Sequence, residues 1–232
     1  MSNEELVLPR MPGIGASLLV LTSVLFTGCQ SIHVAAREGN LKEVKRQLAW
    51  GANPNSRHWF TVETPLIEAA ANGHADVVKL LIQSGADVNL QGEAWYGPLH
   101  RACENGHVEV AKILLENGAD VNLFHHHRPI HYAVMKGNTE LAEILFAYGA
   151  DVSAKGNDGA TPLHIAVSDK QLEMVRWLLS KGADVNARAV FDLTPLRSAA
   201  GRNNVTVGRL LLEHGADPTG VSKEFLRSCY NR

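Results

Sequence analysis

Three consecutive imidazoles, His125, His126 and His127, form the densest run of chemistry-capable side chains in this 232-residue chain. In an extended segment His125 and His127 point to one side, a pairing that suits weak binding of zinc, nickel or copper. A fixed site wants a third or fourth ligand, and no Cys or carboxylate accompanies the run at ligand spacing. No metal is therefore assigned, and His125 with His127 stays a weak candidate pair. Catalytic signatures are missing: there is no Gly-rich phosphate loop, no Gly-x-Ser-x-Gly elbow and no His-Glu-x-x-His. Asp87, Asp120, Asp151, Asp184 and Asp217 recur at one register position, which makes them turn and cap residues. The chain reads as a non-enzyme with no cofactor and no small-molecule substrate.

The elements that must position these residues are periodic. Pro65, Pro98, Pro129, Pro162 and Pro195 lie 33, 31, 33 and 33 residues apart, and Gly-Ala recurs at Gly51, Gly85, Gly118, Gly149, Gly182 and Gly215. A period near 33 marks a stacked repeat array. In the clearest copy, residues 157–188, Thr161 is placed to cap helical N–H groups and Pro162 sits at N1, where no donor is missed. Leu163, Ile165, Ala166 and Val167 form one short apolar face; Leu172, Met174, Val175, Leu178 and Leu179 form a second at helical spacing. Gly182 supplies a left-handed C-cap. Neither helix can bury its face alone, so the stack is the folding unit.

This unit resembles the ankyrin repeat. The family's Thr-Pro-Leu-His-x-Ala stands here at 161–166, with variants at 97–102 and 128–133, and Gly-Ala-Asp-Val-Asn is intact at Gly85, Gly118 and Gly182. The resemblance implies an all-α repeat solenoid of about six copies, each a helix-turn-helix with a hairpin-like finger. It covers residue 31 to about 220, with a first copy that lacks the Thr-Pro start, as a capping repeat can. In the tail, 221–232, Ser222 is placed to cap one more turn that buries Phe225 and Leu226.

The N-terminal segment carries an apolar run, residues 16–26, ending in Leu25-Phe26-Thr27-Gly28-Cys29. That is similar to a bacterial lipoprotein signal, with 1–28 removed and Cys29 lipidated. Phe26 is less usual than leucine at its position, and Glu4 and Glu5 weaken the basic n-region; a start at Met11 would remove both. An uncleaved membrane anchor and an apolar cap on a cytosolic stack stay open as alternatives. Cys103 replaces a small core residue and reads as a buried thiol; it is too far along the stack to pair with Cys229, so Cys29 is not needed for a disulfide. The resemblance implies a domain at 29–220 facing the periplasm, with Gln30 favouring the outer membrane. Formal net charge is −2, with no basic patch to neutralise phosphates, so nucleic acid is not an expected partner.

Subtracting the copies from one another isolates residues the scaffold does not require. Aromatics collect on fingers: Trp59 and Phe60, Trp95 and Tyr96, Phe124 beside His125–His127, and Phe191 with Leu193. Large rigid rings are frequent interface anchors, although packing between adjacent fingers would use the same rings. The ends of the first helices add Glu104, Asn105, Met135, Lys136, Asp169 and Arg202, mixed in sign. His33, His100, His131 and His164, with His74 and His107, recur at fixed positions and read as scaffold; His214 reads as a C-terminal cap. The third finger is two residues short, and Arg128 stands where threonine caps other copies. The resemblance implies a monomeric module that binds another protein through its concave face and finger tips. Two roles fit that context: an immunity protein capturing a toxic effector, or a periplasmic accessory to catalase. A metal-handling role for the histidine finger is a third.

Overall fold

The computed structural model describes residues 31–231. Helices pair in chain order: α1 (Ile32–Arg37) with α2 (Leu41–Ala49), α3 (Pro65–Ala71) with α4 (Ala75–Gln83), and α5 (Pro98–Asn105) with α6 (Val108–Glu116). The second half continues with α7 (Pro129–Met135) and α8 (Thr139–Ala147), α9 (Pro162–Ser168) and α10 (Leu172–Ser180), and α11 (Pro195–Gly201) and α12 (Val205–Glu213). A last helix, α13 (Lys223–Tyr230), follows. The result is an all-α ankyrin-type solenoid of six helix pairs. The expected signal peptide and Cys29 lie outside the described residues.

Each α-helix is six to nine residues long, below the length at which an isolated helix holds in water. Packing supplies the stability. Leu81, Leu114, Leu145, Leu178 and Leu211 occupy one register position of successive second helices, and all five are fully buried in a single core. First helices start on prolines; Thr64 and Thr194 accept at Oγ1 from the N–H groups of Ile67 and Arg197, at 3.2 and 3.3 Å. At Thr161, where a helical N–H was expected as partner, Oγ1 instead meets His164 Nδ1 at 2.9 Å, and the Thr161 N–H donates to the same nitrogen at 3.2 Å. The imidazole closes that cap. Gly182 has φ +85°, as its C-cap position requires.

Neighbouring pairs are stitched by a polar ladder. Asn55 Nδ2 donates to Gly85 O at 2.9 Å while its Oδ1 accepts from the Asp87 N–H at 2.7 Å. Asn89, Asn122 and Asn186 repeat both bonds one copy further on. The recurrent aspartates are occupied too: Asp87, Asp120, Asp151, Asp184 and Asp217 each accept at Oδ1 from the N–H two residues on. They are turn residues by bonding as well as by position.

The tail exceeds its expectation of a single turn. Ser222 Oγ accepts from the Phe225 N–H at 3.3 Å, and eight helical residues follow. Phe225 and Cys229 are buried while Leu226 is half-buried. α13 sits tightly over Gly208: a Cβ at that glycine would meet the Phe225 ring at 2.6 Å.

Candidate functional site

The fingers are loops without strand pairing among the described residues. Each of three closes on one short backbone bond: Gly92 N–H to Tyr96 O, Gly156 N–H to Ala160 O, and Ala189 N–H to Leu193 O, all 2.9 Å. The first finger closes between His58 and Glu63, also at 2.9 Å. His58 Nδ1 lies 3.3–3.4 Å from the Phe60 and Thr61 N–H groups, so this histidine builds the finger.

In four of the five fingers the reversing turn places a left-handed residue three positions before the helix-start proline. The fourth finger places Gly159 there, with φ +73°. The first, second and fifth place Val62, Trp95 and Asp192, with φ of +58°, +64° and +54°. Non-glycine side chains in this region cost roughly 1–2 kcal/mol per residue. Trp95 therefore occupies a glycine position, and its ring gains no cover in return: it is 69% exposed. Trp59 and Phe60 are 88% and 75% exposed and touch each other, with ring centroids 5.7 Å apart. Phe191, itself at φ +59°, is 93% exposed.

Tyr96 behaves differently from its neighbour. Its ring is half-buried against His125, with centroids 4.8 Å apart, and against Tyr132, whose hydroxyl donates to the Tyr96 hydroxyl at 2.9 Å. Arg101 lies 4.5 Å over the same ring while bonding Glu63 at 2.9 Å and Glu104 at 3.1 Å. The two uses foreseen for finger aromatics thus divide by ring: Tyr96 packs, while Trp59, Phe60 and Trp95 face outward. Glu63 is buried, which pushes its carboxyl above the usual range despite Arg101.

The short third finger is bound on both sides. His125 lies on Tyr96, His127 lies 5.1 Å from the His131 ring, and His126 meets the Asn157 side chain and accepts the Asn157 N–H at its carbonyl. Arg128 donates from Nε to Asn122 O at 3.3 Å and covers Phe124, 5.1 Å away, which leaves Phe124 half exposed. His125 thus packs on the second finger and His127 on α7, and among the described residues no three His, Cys, Asp or Glu side chains are grouped to hold a metal. Burial first, then the neighbouring imidazoles, lowers the His125 pKa; burial likewise lowers that of His127.

The recurrent histidines bond as scaffold. His100, His131 and His164 accept at Nδ1 from the N–H of residues 97, 128 and 161, and His33, His74 and His107 reach the carbonyls of Ser56, Arg37 and Ala71. His214 Nδ1 meets Leu210 O at the end of α12. Cys103 is buried, and burial pushes its thiol far above the ordinary range.

Of the first-helix ends, Asn105 donates to Arg101 O at 3.1 Å and Glu104 is held by Arg101, whereas Met135, Lys136, Asp169 and Arg202 are exposed. Met135 and Asp169 come together with Ile165, Val190, Phe191 and Leu193 around an apolar cleft of about 440 Å³. Phe191 and Leu193, grouped with the finger aromatics in the sequence, line that cleft. Their signal was available: Val190-Phe191 stands where the fourth finger has Asn157-Asp158.

Short helix pairs, a polar inter-repeat ladder and outward-facing finger aromatics define a repeat scaffold of the binding class. Family models for ankyrin repeats match residues 32–125 and 124–189, and a single-repeat model matches 191–223; the chain belongs to the ankyrin-repeat family. It is similar to the human ASB11 ankyrin repeat domain, with a TM-score of 0.75 and 34% identity over 84% of this chain and 88% of that one. Curated relatives match over shorter stretches. Glycerophosphocholine phosphodiesterase gde1 of Schizosaccharomyces pombe is 39% identical over 59 residues, 25% of this chain and 5% of that protein. The mitochondrial disaggregase of Homo sapiens is 35% identical over 94 residues, 35% of this chain and 12% of that protein. The chain thus spans only a small part of the curated relatives it matches, and the likeness is one of repeats.

Proposed function

We propose that this chain is a non-enzymatic binding module, lipid-anchored through Cys29 and facing the periplasm, that captures a partner protein on its finger tips and first-helix ends. The observation that carries the binding reading is Trp95: a large ring in a glycine conformation, exposed, with no packing role to offset the backbone cost. Strain retained without local return points to a function for the strained residue. Trp59, Phe60 and the Met135–Phe191 cleft extend the same face with apolar area at low rotamer cost. The partner class preferred is a toxic effector delivered to the envelope, with an envelope enzyme such as catalase as the second.

The anchor reading rests on Leu25-Phe26-Thr27-Gly28-Cys29 at the end of the apolar run; among the described residues no helix is long and apolar enough to cross a membrane.

The test is Trp95→Gly. It should leave the fold unchanged or raise its stability by about 1 kcal/mol, because the left-handed turn regains its glycine. It should also weaken partner binding at least about 30-fold, as loss of a hot-spot ring does. A crosslinked pull-down from envelopes, wild type against Trp95→Gly, checks this. A stoichiometric protein lost only with the variant supports the module, and its identity separates effector from enzyme. Undiminished capture by Trp95→Gly would remove Trp95 from the site.

A further inference from the structure

The same subtraction of repeats isolates a second surface, on α2. Positions 43, 46 and 47 match Val77, Leu80 and Leu81 of α4 and Val110, Ile113 and Leu114 of α6, all buried in the core or packed against it. In α2 they are Glu43, Arg46 and Gln47, and Arg46 Nη2 and Gln47 Nε2 both donate to Glu43 Oε1, at 2.7 and 2.9 Å. This end of the array is closed by polar groups.

Charge is distributed just as specifically. The first turns of α4, α6, α8 and α10 carry Asp76, Glu109, Glu140 and Glu173, the sign the helix dipole favours there. The matching residue of α2 is Lys42. Lys42, Lys45, Arg46, Ala49 and Trp50 are all exposed and fall at helical spacing along one stripe. Trp50 is 66% exposed, with the Arg46 guanidinium 4.8 Å over its ring. Interior repeats put Ser84, Asn117, Tyr148, Lys181 and His214 at that position. Glu43 still meets the α2 dipole, but a lysine in the first turn and a tryptophan left two-thirds exposed both run counter to local stability.

We infer that this stripe is a lipid-docking face: Lys42, Lys45 and Arg46 meet anionic headgroups, and Trp50 seats at the membrane–water interface. Basic side chains near an anionic leaflet and tryptophan at headgroup depth are the two features such a surface selects. The inference rests on the anchor reading, because Cys29 stands three residues before α1 in the sequence, at most about 11 Å of extended chain. The anchor would thus deliver the first repeat to the bilayer, and the stripe would fix its orientation so that the fingers stay presented to a partner.

The test uses the full-length chain carrying Lys45→Cys, or Arg176→Cys at the matching position of α10, with phosphatidylglycerol or phosphatidylcholine vesicles. Maleimide should label Lys45→Cys at least about fivefold more slowly on phosphatidylglycerol than on phosphatidylcholine, an electrostatic protection relieved by high salt. Arg176→Cys should label equally on both. Adding Lys42→Asp and Trp50→Ser, residues that interior repeats carry, should restore the rate. Equal labelling on the two lipids overturns the docking face, as does protection without vesicles that vanishes on dilution, which would assign the stripe to a second copy of the chain. Fatty-acid incorporation by wild type and Cys29→Ser reads the anchor separately. Lipidation without protection overturns the face alone, and protection without lipidation supports a lipid-binding face while removing the anchor.

Discussion

Leu178→Ala should cost about 2–5 kcal/mol, a large part of the stability of a domain of this size. The leucine is fully buried in the common core, at the register position that Leu81, Leu114, Leu145 and Leu211 fill in other repeats. Truncation removes apolar area and leaves a cavity that stiff neighbouring helices cannot close. Because each repeat contacts only its neighbours, the loss should be local at first. Amide exchange in α9 to α12 should accelerate before exchange in α3 to α6, and the urea midpoint should fall. Uniform acceleration along the array would mean that the six pairs unfold as one unit. A loss under about 1 kcal/mol would mean that the site repacks. Set beside Trp95→Gly, which should cost nothing, the pair separates core from surface in one assay.

What recurs in register was legible in the sequence; what depends on contacts between differing residues was not. Prolines, Gly-Ala pairs, turn aspartates and scaffold histidines each answer to a local demand that recurs along the array, so position alone identifies them. The Tyr96–Tyr132 bond joins a finger to a first helix 36 residues on. Its second member sits in a slot that holds Glu68, Arg101, Ile165 and Ser198 elsewhere, and no periodic rule could single it out. That one contact converts Tyr96 from a foreseen anchor into packing. The histidine run met the same limit: its spacing suited a metal, but Tyr96, Asn157 and His131 supply three different partners. Trp95 stands out in the sequence for its type and its place on a finger. The stronger reason, its glycine conformation, was already visible by alignment with Gly159, since both lie three residues before a helix-start proline.

Acid should destabilise this fold well above the pH at which carboxylates titrate. Burial holds His100 and His131 at about 4, against an ordinary value of 6.5, and His127 adds its own repulsion at His131. Both folded values lie below the unfolded one, so the stability they contribute is complete above pH 6.5 and is lost as pH falls from 6.5 toward 4. At pH 5 the loss is about 2 kcal/mol for each ring, or about 4 kcal/mol for the two. His33 and His164, lowered by burial, act in the same direction. Glu63 acts oppositely: burial raises its carboxyl above the ordinary range, so its protonation as pH falls relieves a buried carboxylate. Urea midpoints measured from pH 7.5 to 5 should therefore fall with a slope set mainly by imidazoles that the unfolded chain protonates and the folded chain does not. His131→Asn keeps an acceptor where Nδ1 receives the Arg128 N–H, now 3.2 Å away, and should remove about one proton from that slope. A flat profile across this range would show that the rings take up protons inside the fold. The caps at residues 97 and 128 would then have to survive without an acceptor at Nδ1, which the geometry of both helix starts does not provide.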